Sequence, residues 1–352
     1  MYVVSFLKTN LYDLSIDELR AFFIQIDEKS FRADQLWNWL YVKGIKKTES
    51  INNISKEVLE KVNIKYYIPE LKIKKYFESI DGTKKWLFEM VDKKEIETVY
   101  IPDENRGTIC ISSQVGCTLA CSFCHTGTMK FLRNLSMAEI VGQVIQVKNE
   151  LKDWNKNKER KVTNIVFMGM GEPLYNYDNV IKALNVLTNE NGLAISKRRI
   201  TLSTSGVVPK IKIFKDDSDV NLAVSLHAAF DKIRNELVPI NKKWPISVLL
   251  EALKEYSYTR KNKRITFEYI MLKDINDSID DAKELIKLIR PFKAKINLIP
   301  FNPWPGSKYQ VSSEEKIESF KNYILNKGNL VATIRTPRGE DVLAACGQLK
   351  SL

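Results

Sequence analysis

Apolar residues recur along this chain with two different periods, and the switch between them separates its parts. Before Ile68 the period is helical. Ser15-Ile-Asp-Glu18 is a capping-box pattern, with Leu19, Phe22 and Phe23 following at helical spacing. Phe31-Arg-Ala-Asp-Gln-Leu-Trp-Asn-Trp-Leu-Tyr41 carries aromatics at the same spacing, and Ser55-Lys-Glu-Val-Leu-Glu60 opens a third helix. After Pro69 the period falls to two. Trp86–Met90 and Ile96–Ile101 are strand-like, parted by the polar turn Asp92-Lys-Lys-Glu95 and preceded by Asp81-Gly82.

From about residue 105 the two periods alternate. Strands are predicted at Thr108–Ser112, Asn164–Met168, Arg199–Ser203, Asn221–Leu226, Arg264–Met271 and Lys295–Ile299. Helices lie between them. Ser136-Met-Ala-Glu139 is a second capping box, leading into Ile140, Val141, Val144 and Ile145, and Ala282, Leu285, Ile286 and Ile289 form another helical stripe. Six strands alternating with helices predict an α/β chain whose parallel β/α units close partly into a (βα)6 barrel. The expected organisation is a small helical accessory domain over 1–68, which could bind RNA, a β-hairpin extension over 69–104, and the barrel core over 105–352. Such barrels gather their chemistry at the C-terminal ends of the strands. The polar candidates sit there: a cysteine run after the first strand, Gly169-Met-Gly-Glu172 after the second, Ser203-Thr-Ser-Gly206 after the third, Ser225-Leu-His227 ending the fourth, and Asn302 after the sixth.

Composition narrows the setting. The chain has 352 residues, 44% of them hydrophobic, which suits a folded protein with a large core. No apolar run reaches membrane-spanning length, and Met1–Leu7 is too short for a secretory signal. The expectation is a cytoplasmic protein with no membrane partner. A net charge of +12 points to an anionic partner, nucleic acid first, against the plainer reading of a lysine-rich background. Three basic stretches could touch RNA or be solvated faces: Asp153–Lys161, Lys197–Arg199 and Arg260–Arg264.

Five cysteines, odd in number and clustered, do not form a disulfide framework. Cys117, Cys121 and Cys124 stand in a C-x3-C-x2-C run. Three thiolates so close in sequence can each hold one iron of a cubane iron–sulfur cluster, leaving the fourth iron open to a small molecule. Zinc and buried, unligated cysteines are the alternatives, zinc the stronger. It prefers four protein ligands and C-x2-C pairs, and His125, adjacent to Cys124, is poorly placed to be the fourth.

With this spacing after the first barrel strand, the chain resembles the radical S-adenosylmethionine (SAM) enzymes. Longer stretches narrow the resemblance. Cys110-Ile-Ser-Ser-Gln-Val-Gly-Cys117, Phe167-Met-Gly-Met-Gly-Glu-Pro-Leu174, Arg199-Ile-Thr-Leu-Ser-Thr-Ser-Gly206, Asn297-Leu-Ile-Pro-Phe-Asn-Pro303 and Arg338-Gly-Glu-Asp-Val-Leu-Ala-Ala-Cys-Gly-Gln-Leu349 are together similar to the RlmN family of dual-specificity RNA methyltransferases. The resemblance runs from Phe31 to the C-terminus. It implies a [4Fe-4S] cluster on the three cysteines, two SAM molecules per turnover, and 2-methyladenosine formation in 23S rRNA and in tRNA just 3′ of the anticodon. An electron donor and a monomeric state are implied as well. The related Cfr type, which methylates adenine C8, is the nearest alternative; Pro173 and the Arg338-Gly339 pair look like the C2 enzymes. A zinc-stabilised RNA-binding protein without catalysis is the alternative of another class.

Particular residues acquire roles from the same resemblance. Cys346 would be methylated and then joined to adenine, Glu97 would take the C2 proton, and Cys110 would release the product by forming a disulfide with Cys346. Without the motifs, Cys110 reads as a core thiol, Cys346 as a small turn residue and Glu97 as a surface carboxylate. Gly171, Glu172, Ser203, Ser225, Leu226, His227 and Asn302 match the family's SAM positions. His125 is given no role.

Overall fold

A computed structural model describes residues 8–155, 157–260 and 263–351. Met1–Leu7, the segment weighed as a signal, lies outside them, as do Lys156, Lys261 and Asn262 of two basic stretches. The N-terminal helices form as the patterns predict: α1 (Ile16–Gln25), α2 (Phe31–Tyr41) and α3 (Lys56–Lys65). At the head of α1, Ser15 Oγ accepts from Glu18 N–H at 3.2 Å while the Glu18 carboxylate accepts from Ser15 N–H at 2.7 Å. This module is seated on the core. Asp13 Oδ1 accepts from the Ala138 N–H at 2.8 Å, capping the first turn of a core helix, and the Trp154 ring fills the space where a Cβ on Gly44 would stand.

Three antiparallel strands follow: β1 (Lys72–Glu78), β2 (Lys84–Glu89) and β3 (Glu95–Asp103). The first was not predicted. Its Lys72-Ile-Lys-Lys-Tyr-Phe-Glu78 is an exposed edge, where lysines protect open hydrogen-bonding groups and erase the apolar alternation. The core then alternates through β4 (Arg106–Cys110), α4 (Met137–Glu150), β5 (Asn164–Phe167), α5 (Tyr177–Thr188), β6 (Ile200–Thr204), α6 (Val208–Asp217) and β7 (Asn221–Ser225). It continues with α7 (Asp231–Leu237), α8 (Ile246–Thr259), β8 (Ile265–Met271), α9 (Ile279–Ile289), β9 (Ala294–Pro300), α10 (Glu314–Gly328) and β10 (Val331–Ile334).

All ten strands form one sheet in chain order from β1 to β10. β3 pairs antiparallel with β4, Val99 opposite Cys110, so the extension grows directly from the core sheet. From β4 to β10 every neighbour is parallel. That is one parallel strand more than the six predicted: β10 is a short, half-exposed edge whose four residues carry too little pattern to register. Thr108, Thr201, Thr266 and Thr333, from β4, β6, β8 and β10, line a common cavity, so the sheet curls into an open barrel. The helices α4 to α10 bury apolar stripes against its outside.

Candidate active site

The loops leaving the parallel strands at their C-terminal ends enclose one cavity, lined by Cys117, Cys121 and Cys124 together with Gly171, Glu172, Ser203, Ser225, His227 and Cys346. The three cysteines leave β4 through Gly116, whose φ of +76 and close approach to the Lys130 carbonyl exclude a side chain. Burial pushes the Cys117 thiol up to about 12, lifts Cys121 well above its ordinary range and raises Cys124. Three mutually repelling buried thiols carry charge only beside a strongly positive centre, and a cluster of irons is one. Among the described residues, no three His, Cys, Asp or Glu side chains converge to hold a single metal ion. His125 faces elsewhere: its ring stacks on Trp304 at 4.6 Å and its Nδ1 lies 3.2 Å from the Gln348 carbonyl.

The turn after β5 is built for close approach. Gly171 has φ +93, and a Cβ there would stand 2.4 Å from Gln114 Cβ. Glu172 is fully buried, with Oε1 accepting from Leu174 N–H at 3.0 Å and Oε2 from Ser205 N–H at 2.8 Å. Burial pushes its carboxyl up to about 7. An acid so placed favours a ligand that brings positive charge or N–H donors, as the amino group of SAM does. His227 adopts φ +62, accepts from the Ile270 N–H on Nδ1 at 3.1 Å, and is pushed down to about 3 by burial and by Arg234. It is therefore a neutral polar wall and not a proton carrier near neutral pH. Asn302 donates from Nδ2 to the Cys346 carbonyl at 2.9 Å, and its buried Oδ1 has no partner, an acceptor available to a bound donor. The thiol loop, the glycine turn and the buried Glu172 carboxyl together fit a cluster with SAM, whereas Asn302, expected among the SAM contacts, does not line this cavity.

Cys346 also lines a smaller adjoining pocket with Cys110 and Asn302. Cys110, at the end of β4, is buried, and that burial pushes its thiol up to about 12. The two sulfurs, far apart in sequence, thus face one space. Two predicted residues line neither cavity. Leu226 is a core side chain whose carbonyl accepts from Arg234 Nε at 2.9 Å. Glu97 is buried where the alternating pattern alone suggested a surface carboxylate. Its Oε1 pairs with Lys85 Nζ at 3.1 Å and its Oε2 accepts from Lys350 N–H at 2.9 Å, fastening the C-terminal segment to the sheet. Burial raises its carboxyl, and Lys85 opposes the rise.

Two residues that matter here carry no local signal. Arg234 of α7, buried, donates to the carbonyls of Ser205, Ser225 and Leu226 and to Asn241 Oδ1, tying the ends of β6 and β7 to the turn after α7. Arg335, just past β10, lines the cofactor cavity and the Cys110–Cys346 pocket alike.

An open parallel barrel with a three-cysteine loop at its strand ends defines a radical SAM protein, and the radical SAM superfamily profile matches residues 111–289. The ribosomal RNA large subunit methyltransferase N-terminal domain matches residues 9–68. The chain is 51% identical to the dual-specificity RNA methyltransferase RlmN of Parvibaculum lavamentivorans over 348 residues, covering 96% of this chain and 87% of that one. With the corresponding protein of Sinorhizobium fredii it shares 52% over 335 residues, 91% of this chain and 81% of the other. A crystal structure of a radical SAM methyltransferase from Sphaerobacter thermophilus superposes with a TM-score of 0.91 at 38% identity, over 97% of this chain and 99% of that one. The chain belongs to the RlmN family.

Proposed function

We propose that this enzyme forms 2-methyladenosine in 23S rRNA at the peptidyl-transferase centre and in tRNA at the adenosine 3′ of the anticodon. The reaction runs through a methylated Cys346 and an enzyme–RNA link that ends in a Cys110–Cys346 disulfide. The observation that carries this reading is the position of Cys346, in the wall of the three-cysteine cavity and of the Cys110 pocket at once. Carbon 2 of adenine is electron-poor and does not attack a methyl donor, so a carbon carrier on the protein is required.

Cys117, Cys121 and Cys124 would hold a [4Fe-4S] cluster, and Gly171, Glu172, Ser203, Ser225 and His227 would surround SAM beside it. Bound there, cluster and SAM supply the methyl group and the one-electron chemistry that activates it, two SAM per turnover. Glu172 orients the amino end through its carboxylate. Asn302 holds the backbone of Cys346 so that the sulfur faces both spaces. Glu97 accepts the C2 proton; because its Oε2 is bonded to Lys350 N–H, the C-terminal segment must shift for it to do so. Cys110 waits, excluded from water, until the Cys346 sulfur carries the RNA. The +12 charge draws phosphate to the surface. An electron donor reduces the cluster, and the enzyme acts in the cytoplasm as a monomer.

The test is anaerobic reconstitution with iron and sulfide, followed by methyl-labelled SAM, dithionite and unmodified 23S RNA or tRNA, read by nucleoside mass spectrometry. The expected product is 2-methyladenosine. A product methylated at C8 would move the enzyme to the Cfr type, and no methylated adenosine from cluster-loaded protein would overturn the assignment.

A further inference from the structure

Arg335 stands where the spaces of this barrel meet: it lines the cofactor cavity, the Cys110–Cys346 pocket and the polar lumen. Its backbone N–H donates to Leu298 O at 2.8 Å, anchoring the residue beside β9. Its guanidinium is poorly satisfied. Among the described residues its one side-chain hydrogen bond is a weak contact with Met168 Sδ at 3.5 Å. The other cation lining the thiol pocket is committed elsewhere: Arg338 pairs with Asp81 at 3.2 Å and donates to Pro102 O at 2.9 Å.

A guanidinium keeps its charge in proteins, and this one is half-buried among the three spaces it lines. Glu268 of β8 is the nearest resident carboxylate. Its Oε1 is held by Asn297 Nδ2 at 3.0 Å, Asn297 is held in turn by Thr333 Oγ1 at 2.9 Å, and its buried Oε2 has no hydrogen-bond partner. Glu268 thus balances part of the arginine's charge without engaging its donors. The same guanidinium lines the pocket that Cys110 and Cys346 share. A thiolate is the nucleophile in both of their steps, and burial opposes thiolate formation at Cys110. Arg335 pulls against that opposition, and the charge of Cys346 in turn favours the protonated arginine.

We infer that Arg335 is the resident counter-cation of Cys110 and Cys346, and that it governs how fast Cys110 attacks the Cys346 sulfur. The inference rests on the proposed pairing of these two cysteines. Arg335 acts through the sulfurs, as a positioning residue. The other charged or titratable groups around the pair are Arg338 in their pocket and Cys117, Cys121, Cys124, Glu172, His227 and Glu268 across the three-cysteine cavity.

The test needs no RNA. Cluster-loaded, reduced protein is treated anaerobically with oxidised glutathione. Cys346 thiolate attacks the reagent, releasing one glutathione thiolate and leaving a mixed disulfide; Cys110 thiolate then attacks the Cys346 sulfur and releases the second. Mass spectrometry follows both species from pH 6 to 9. In Arg335→Gln the mixed disulfide should accumulate and its resolution at pH 7.5 should slow about tenfold, with the pH profile displaced upward by about one unit. Arg335→Lys should recover most of the rate. Glu268→Gln, which removes the competing anion, should resolve as fast as the parent or faster. Superimposable profiles for the parent and Arg335→Gln would overturn the inference. So would equal slowing in Glu268→Gln, which would mark simple loss of packing. A parent protein that forms no Cys110–Cys346 disulfide would instead overturn the pairing itself.

Discussion

Lys85 and Glu97 face each other from β2 and β3 with side chains 7% and 5% exposed, Nζ to Oε1 at 3.1 Å. Lys85 Nζ also donates to Leu343 O at 3.1 Å, and Glu97 Oε2 accepts from Lys350 N–H, so the pair anchors the segment carrying Cys346 at two points. Replacing Lys85 with Met keeps the volume and removes the cation. Two unit charges at this separation attract by ~5 kcal/mol at an effective dielectric constant of about 20. Stranding one member of a buried pair costs ~3–5 kcal/mol. We expect Lys85→Met to lose ~4 kcal/mol in urea unfolding at pH 8. The pH dependence has a definite sign. Burial already raises the Glu97 carboxyl, and loss of Lys85 raises it further, so the variant favours the protonated acid. The deficit should therefore be largest at high pH and shrink as pH falls toward the ordinary carboxyl range. Lys85→Met with Glu97→Leu should recover most of the loss, because no charge is then stranded. A deficit under ~1 kcal/mol, or one equal at pH 8 and pH 5, would refute the buried-pair argument.

Three further outcomes follow from the same coordinates. Gly171→Ala should destabilise the protein by ~2 kcal/mol or more and abolish SAM binding in a calorimetric titration, since it combines a left-handed φ with a Cβ pressed on Gln114; parent-like SAM affinity would contradict the glycine's role. The Glu172 carboxyl is raised to about 7, so its contribution to stability is full below pH 4.5 and is lost as pH rises through 7. Between those limits the parent should lose ~3 kcal/mol more than Glu172→Gln in parallel denaturation curves, and parallel pH profiles would rule this out. Arg234→Met leaves buried carbonyls of Ser205, Ser225 and Leu226 without their donor and should cost at least ~4 kcal/mol, with Arg234→Lys recovering little because one ammonium cannot span the positions; a mild effect would show that the loops hold without it.

What could be read from the chain was what local spacing determines. The C-x3-C-x2-C run, the glycine turn at Gly171 and the capping boxes depend on residues within a few positions of each other, so their geometry follows from sequence almost directly. Glu97 shows the limit. Its alternating strand indicates two faces, one expected to be wet, but that face is covered by a segment some 250 residues later, and nothing near Glu97 announces the cover. Arg234 and Arg335 were missed for a related reason: a charged residue in a helix or after a strand is usually solvated, and only the closed fold shows which carbonyls or sulfurs it meets. The strands at the two sheet edges, β1 and β10, lacked a buried face to impose a pattern. Leu226 was named with its neighbours, yet its side chain belongs to the core while its backbone serves the site.

The loop bearing the cysteines is stitched to the C-terminal segment. His125 N–H donates to Gly347 O at 2.7 Å, and Thr126 Oγ1 donates to Leu349 O at 2.5 Å. A cluster held as proposed and the Cys346 segment would be reciprocal ligands of one loop. Whatever holds the loop for the metal also holds it for the segment, and by linkage each raises the affinity of the other by the same factor. Losing the cluster would accordingly be felt at Cys346 as a loosened tether, and protease susceptibility near the C-terminus becomes a gauge of how well the distant iron site is filled.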